Sequence, residues 1–396
     1  MSAVKQSAKS KNLANRSTLS VVLPVLLGVI IAAFALEFSY GDKNTKFEEM
    51  ALGEGTSSLF CEYDGYPIHC EGIEDFAPCL QGWHIRGKNP VVLWLGNSQV
   101  HAVNQLKQVQ ENAPPILFRR LYKQDIDLLT FSQPNVSLQE HYVLFEYLRL
   151  RLPVKTLILP LVFDDLRETG MRSDIALALG DARVVNSLET TEIGRQILQQ
   201  AAQNKKDSST DSGDDDLKGV RNTIQEHSES ALNKWLSDYS NLWKIRPEAR
   251  GNLLGSLYLL RNSIFGITAQ SKRKMIKLRY HANINALTAI LDSATQSGIG
   301  VLVYIVPIRN DIEIPYVKKE YEIFKQKSES LAKEKNVVFC NLESLVPATL
   351  WGAKESTRFG KHELEADFMH FQAPGHMLLA KNLTRILETR FLETQP

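Results

Sequence analysis

The sequence predicts an α/β protein built on a parallel sheet. Short apolar runs recur along the chain, helical stretches separate them, and polar residues follow the end of each run. Val91–Leu95 is apolar throughout, as a strand buried on both faces requires. Gly96-Asn97-Ser98 follows it, and a helical stretch is expected from Gln99. Ile126–Phe131 is the second strand. Ser137-Leu138-Gln139-Glu140 has the form of a capping box and opens a helix to about Arg151. Thr156–Phe163 is the third strand, although Pro160 cannot donate to a ladder. A helix over His281–Ser297 leads to the strand Val301–Val306. The amphipathic run Val317–Lys335 is a helix, Val337–Phe339 a last strand, and Pro374 stands near the first turn of a closing helix to about Phe391.

Residues 173–275 interrupt this alternation and are expected to form a helical insertion. Within it Lys205–Asp216, KKDSSTDSGDDD, is too polar to bury and is predicted as a mobile acidic loop. Its glycine is misplaced for a calcium loop and no glutamate stands at the twelfth position, so an EF-hand is excluded.

The chain of 396 residues is 43% hydrophobic and 23% charged, the balance of a globular protein. A formal net charge of +1 gives no field to recruit nucleic acid. Ser17–Leu36 is free of charge, and a helix of about 20 residues spans the roughly 30 Å of a bilayer core. Lys5, Lys9, Lys11 and Arg16 precede it while Glu37 and Asp42 follow. The positive-inside rule then places residues 1–16 in the cytoplasm, an anchor at 17–38, and the rest outside. Ala33-Phe34-Ala35 resembles a signal-peptide cleavage site, but the run is longer than a usual signal-peptide apolar region, which favours an uncleaved anchor. Residues 39–90 read as an irregular membrane-proximal segment containing Cys61, Cys70 and Cys79. Export makes a disulfide among them the leading expectation, with the pairing open; free thiols and a metal site are the alternatives. The α/β domain is then split into 91–172 and 276–396. No cofactor and no metal are expected.

In a parallel sheet, ligands bind beyond the carboxyl ends of the strands. Ser98 follows the first strand there, and Asp367-Phe368-Met369-His370 falls in the long loop after the last. A serine hydroxyl becomes a nucleophile when a base takes its proton; His370 is the candidate base and Asp367 the group that orients it. Gly96 allows a tight turn, and a helix starting at Gln99 aims amide N–H groups and its dipole at the site. Ser98 as a plain helix cap, and Asp367 and His370 as a surface turn, are the bland alternatives. His101, one turn beyond Ser98, is a candidate pocket residue. Arg167, Arg172 and Arg309 lie on rim loops and are candidates for contacting an anionic glycan, against a reading as solvated surface. Trp83 and Trp94 read as core.

These blocks resemble those of the SGNH (GDSL-like) hydrolase superfamily, whose Gly-Asp-Ser is here Gly96-Asn97-Ser98 and whose Asp-x-x-His is Asp367–His370. The resemblance implies a flavodoxin-like three-layer α/β/α sandwich, here with a helical insertion and an N-terminal transmembrane helix, and a Ser98–His370–Asp367 triad. It further implies an oxyanion hole drawn from two middle blocks. There Pro134-Asn135 stands near the expected glycine, and Asp164 replaces the expected asparagine, so that Asn97, Asn135, Asp164 or backbone amides are the candidates. An ionised Asp164 cannot donate. An anchor before such a domain is similar to the proteins of alginate acetylation and teichoic acid D-alanylation. That likeness implies an extracytoplasmic O-acyltransferase or esterase acting on cell-envelope polysaccharide beside a multi-spanning O-acyltransferase. An inactive glycan-binding or scaffolding module is the alternative.

Overall fold

The computed structural model describes residues 55–211, 270–355 and 364–392. Their centre is a six-stranded sheet of β1 (His69–Cys70), β2 (Val91–Gly96), β3 (Asp127–Ser132), β4 (Val154–Leu161), β5 (Gly300–Ile305) and β6 (Val338–Asn341). The strands lie in the order β6-β5-β4-β2-β3-β1, and every neighbouring pair is parallel. β2 and β3 are buried at every residue; β2 accordingly reads as a continuous apolar run, whereas β3 also buries Asp127, Thr130 and Ser132. Pro160 lies beyond Ile158, the last residue that β4 pairs with β2, so its missing N–H costs no bond on that side.

Helices join the strands: α1 (Phe76–Ile85), α2 (Ser98–His101), α3 (Ala113–Tyr122), α4 (Leu138–Arg149), α5 (Ala182–Glu189), α6 (Glu192–Asp211), α7 (Lys277–Gln296), α8 (Lys318–Glu334) and α9 (Ala373–Leu387). The chain steps from β2 to β3 in one direction and from β3 to β4 in the other. With right-handed crossovers this puts α3 and α4 on opposite faces. The contacts agree: α3 packs against α9, and α4 against α7. The capping box at Ser137 is present, with Ser137 Oγ accepting from Glu140 N–H and Glu140 Oε2 from Ser137 N–H.

Four expectations are corrected. The segment expected to be irregular before residue 91 supplies β1 and α1. Ile68 and Cys70 are buried, and Cys70 and Cys79 form a disulfide that fastens β1 to α1. Cys61 and Cys340 are free. The helix expected from Gln99 is a single turn. After His101 the chain runs extended through Ala102–Asn104 and pairs with Thr56–Ser58, and the crossover helix is α3, opened by Pro114 and Pro115 behind Asn112. A single turn has few aligned peptides, so little dipole reaches Ser98. The stretch 205–211 of the expected acidic loop continues α6; residues 212–216 lie outside the described residues. Finally, Asp367 and His370 lie on a strand, β8 (Leu364–Phe371), which pairs antiparallel with β7 (Trp351–Glu355).

Within the expected insertion, α5 packs on α4, and α6 on α5 and α7. The expected anchor at 17–38 lies outside the described residues. Among the described residues no helix is long and apolar enough to cross a membrane.

Candidate active site

β2 is flanked by β3 on one side and β4 on the other, so the strand order reverses at its carboxyl end. A crevice opens at such a switch point. Ser98 stands there as the first residue of α2 and is partly exposed, between buried Asn97 and Gln99. Gly96 is needed for close approach: a Cβ there would lie 2.5 Å from Val100 Cγ2 and 3.1 Å from its Cβ.

Asp367 and His370 come to Ser98 through a break in the pairing of β8. Trp351 pairs with Phe371, but two residues on, Ala353 pairs with Ala366. The four residues 367–370 stand opposite the single residue Gly352 in this bulge. In a regular strand, side chains three apart point to opposite faces. Here Asp367 Oδ1 accepts the N–H groups of Met369 (2.9 Å) and His370 (3.0 Å), curling the bulge so that the two side chains meet. Asp367 Oδ2 lies 3.0 Å from His370 Nδ1, and His370 Nε2 lies 3.0 Å from Ser98 Oγ. An ionised carboxylate only accepts, so Nδ1 carries the proton and Nε2 offers its lone pair to the serine hydroxyl. Burial pushes the Asp367 carboxyl up. The charge His370 carries once it has taken a proton, together with its hydrogen bonds, more than offsets this and holds the carboxyl well below its usual range. The arrangement can pass a hydroxyl proton to an imidazole that a buried carboxylate orients.

The residues around Ser98 are fixed in their turn. Asn97 Oδ1 accepts the Gln99 N–H at 3.0 Å, and Asn97 Nδ2 donates to Asp165 Oδ2 at 2.9 Å. Gln99 Nε2 donates to Pro307 O and to Met369 O, each at 2.8 Å. Ser132, paired with Gly96 across the β2–β3 ladder, holds its Oγ 2.8 Å from His101 Nδ1 and 2.6 Å from His69 Nε2. One hydroxyl has one proton, so Ser132 donates to one imidazole and accepts from the other. Burial, reinforced by neighbouring histidines, keeps His101 and His376 neutral with pKa values lowered to about 3.

Several candidates are thereby corrected. Asn97 has its Oδ1 and one of the two N–H groups of Nδ2 engaged, so one side-chain donor is left. Asp164 belongs to a polar cluster: it accepts from Arg167 Nη1 at 3.0 Å and Tyr316 OH at 3.1 Å, and pairs with Arg273. Its neighbour Asp165 is the one next to the site, and burial raises its pKa well above the ordinary range. Asn135 is exposed, with φ 51° in the left-handed region that Gly and Asn tolerate best. Arg167 also donates to Lys274 O, and Arg172 is bound to Glu140 and Pro134 O. Arg309 grips Asp311 and donates to Gly352 O, tying β7 down rather than facing a ligand. His101 is buried and holds α2 to β3. Trp83 and Trp94 are core, as expected.

Sequence reasoning missed Gln99, Ser132, His69, Asp165 and His376. Gln99 stands beside Ser98, and Ser132 and Asp165 follow the second and third strands, but nothing in the sequence marks their bonds. Among the described residues no group of three or more His, Cys, Asp or Glu is placed to hold a metal ion.

No family model matches the sequence, and no curated protein matches it. Among solved structures the chain is similar to an acetylxylan esterase from Geobacillus stearothermophilus, at 9% identity over 77% of this chain and 96% of that one, with a TM-score of 0.35. It is similar to an inhibitor-bound aryl esterase of M. smegmatis, at 12% identity over 76% and 99%, TM-score 0.33. A protein of the G-D-S-L family from Desulfitobacterium hafniense gives 11% identity over 76% and 100%, TM-score 0.33.

Proposed function

We propose that this protein is a serine-dependent acyl-transfer enzyme of the SGNH type, anchored in a membrane and acting on ester groups of cell-envelope glycan outside it. The observation that carries this reading is the unbroken hydrogen-bond chain Ser98 Oγ–His370 Nε2, His370 Nδ1–Asp367 Oδ2 at the strand-order reversal. In the first step the Ser98 oxygen attacks the acyl carbonyl while its proton passes to His370 Nε2. The carbonyl π electrons move to oxygen, and the Ser98 N–H, which has no partner within α2 because Ser98 opens it, donates a hydrogen bond to the resulting oxyanion. Collapse expels the alcohol, which takes the proton from His370 Nε2. Water or a sugar hydroxyl then reverses these steps on the acyl-enzyme, with His370 again as base.

The charge-free run Ser17–Leu36 and the Cys70–Cys79 disulfide support an extracytoplasmic site, since disulfides persist in oxidising compartments. In this reading a multi-spanning O-acyltransferase supplies the acyl group and an envelope polysaccharide accepts it. A catalytically inactive glycan-binding or scaffolding module has one observation in its favour: Asp164, an expected side-chain position for an oxyanion donor, is a carboxylate tied up with Arg167, Arg273 and Tyr316.

Turnover of an aryl acetate tests the proposal. The wild type is expected to release acetate, and Ser98→Ala and His370→Ala to release none above background. Equal rates for all three would overturn it. Adding an envelope glycan oligomer separates the two acceptors: a transferase moves acetyl to the glycan in preference to water.

A further inference from the structure

We infer that Gln99 is a positioning residue that sets the distance between Ser98 and His370; the inference rests on the catalytic reading above. Gln99 is adjacent to Ser98, and Met369 is adjacent to His370. The bond from Gln99 Nε2 to Met369 O therefore joins the same two segments as the Ser98–His370 bond and lies in parallel with it. The second N–H of the same nitrogen donates to Pro307 O, just beyond β5, so the clasp has a third anchor in the central sheet.

The chemistry selects this side chain. Two carbonyl oxygens at 2.8 Å from one atom require two N–H donors on that atom, which a primary amide has and a carboxylate lacks. Gln99 is 1% exposed, so water does not compete for either bond, and losing the donors would leave two buried carbonyls unpaired. The clasp is needed because β8 is an annex. It pairs with β7 alone, outside the six-stranded sheet, and its pairing is interrupted at 367–370 where His370 sits. Besides Gln99, the backbone of that bulge is tied to the sheet's rim by the Arg309 N–H to Phe368 O contact at 3.2 Å. β2 and α2 can thus hold Ser98 in place without fixing His370 against it. Gln99 closes that gap.

The test compares the wild type with Gln99→Met, Gln99→Glu and a control, Trp83→Phe. Met keeps the length and removes both donors. Trp83→Phe deletes a single hydrogen bond, Trp83 Nε1 to Asn89 O, ahead of the amino end of β2 and away from the crevice. A misplacement of about 1 Å costs up to about 10²-fold, so Gln99→Met is expected to lose roughly 10- to 100-fold in kcat with KM little changed. The control is expected to lower Tm and keep kcat. Gln99→Glu is expected to recover part of its kcat, relative to wild type, as pH falls and the protonated carboxyl regains one donor. A Gln99→Met variant with wild-type kcat overturns the inference, as does a control that loses kcat as much. The crystal structure of Gln99→Met gives a readout independent of activity. The Ser98 Oγ–His370 Nε2 distance is expected to open from 3.0 Å to beyond hydrogen-bond reach. An unchanged distance refutes the clasp even if the wild type proves inert, whereas inert wild type with an opened distance refutes only the catalytic reading.

Discussion

Asp367 uses both of its oxygens, one on the backbone of its own bulge and one on His370. Replacing it therefore removes the orienter of the imidazole and loosens the turn that carries it. Asp367→Asn is expected to lower kcat by about 10³–10⁴-fold, because an amide can present its N–H to Nδ1 and reverse the tautomer. A steady-state assay at neutral pH checks this, and a loss below tenfold would speak against the orienting role. Asn97 has a different part. It caps α2 and satisfies buried Asp165, so Asn97→Ala should destabilise by about 1–3 kcal/mol through an unpaired buried group and a lost cap. Denaturant unfolding measures it. The three residues Ser98, Asp367 and His370 were legible in the sequence because their types suit one chemistry and the strand order sends them to one rim. Gln99 was not, because its role depends on carbonyls 208 and 270 residues away.

At the scale of elements, the turn from β2 to α2 decides where the nucleophile sits. A methyl group at Gly96 would meet Val100 Cγ2 at 2.5 Å, so Gly96→Ala is expected to shift α2 and reduce turnover. Adding Val100→Ala removes the nearer contact and should restore part of it, a coupling that a double-mutant cycle reads directly. Additive losses would mean the two side chains do not meet. The Cys70–Cys79 bridge closes a short loop around β1, and reducing it should cost about 2–3 kcal/mol by chain entropy. Calorimetry with and without reductant checks that figure. The long strands could be read from their apolar runs to within one or two residues. β1 could not, since two residues carry no periodicity and it exists by pairing with β3 and by the disulfide. Nor could β8, whose bulge breaks the alternation that marks a strand.

At the scale of the whole molecule, among the described residues four buried histidines, His69, His101, His141 and His376, are kept neutral by burial. Burial lowers His141 to about 4, His101 and His376 to about 3, and His69 well below its ordinary value. The unfolded chain protonates these groups near pH 6.5, and the folded protein only at the lower values. Between those limits the unfolded state binds more protons, so stability falls as pH falls. Asp165, whose pKa burial raises, acts in the opposite sense, but it is one strongly shifted group against four. Tm is therefore expected to drop steeply from pH 7 to pH 4.5, and a flat profile would contradict the neutral histidine cluster. The same cluster links α2 to β3 and β1 through Ser132, so acid would loosen the nucleophile's support.

The central claim is that Ser98 is an activated nucleophile, and covalent labelling addresses it most directly. A fluorophosphonate probe reacts with an activated serine and can be mapped by mass spectrometry of the digested protein. We predict one equivalent of probe on the Ser98 peptide of the wild type and none in Ser98→Ala or His370→Ala. Folded wild-type protein that takes up no probe, or takes it up at another residue, would contradict the account.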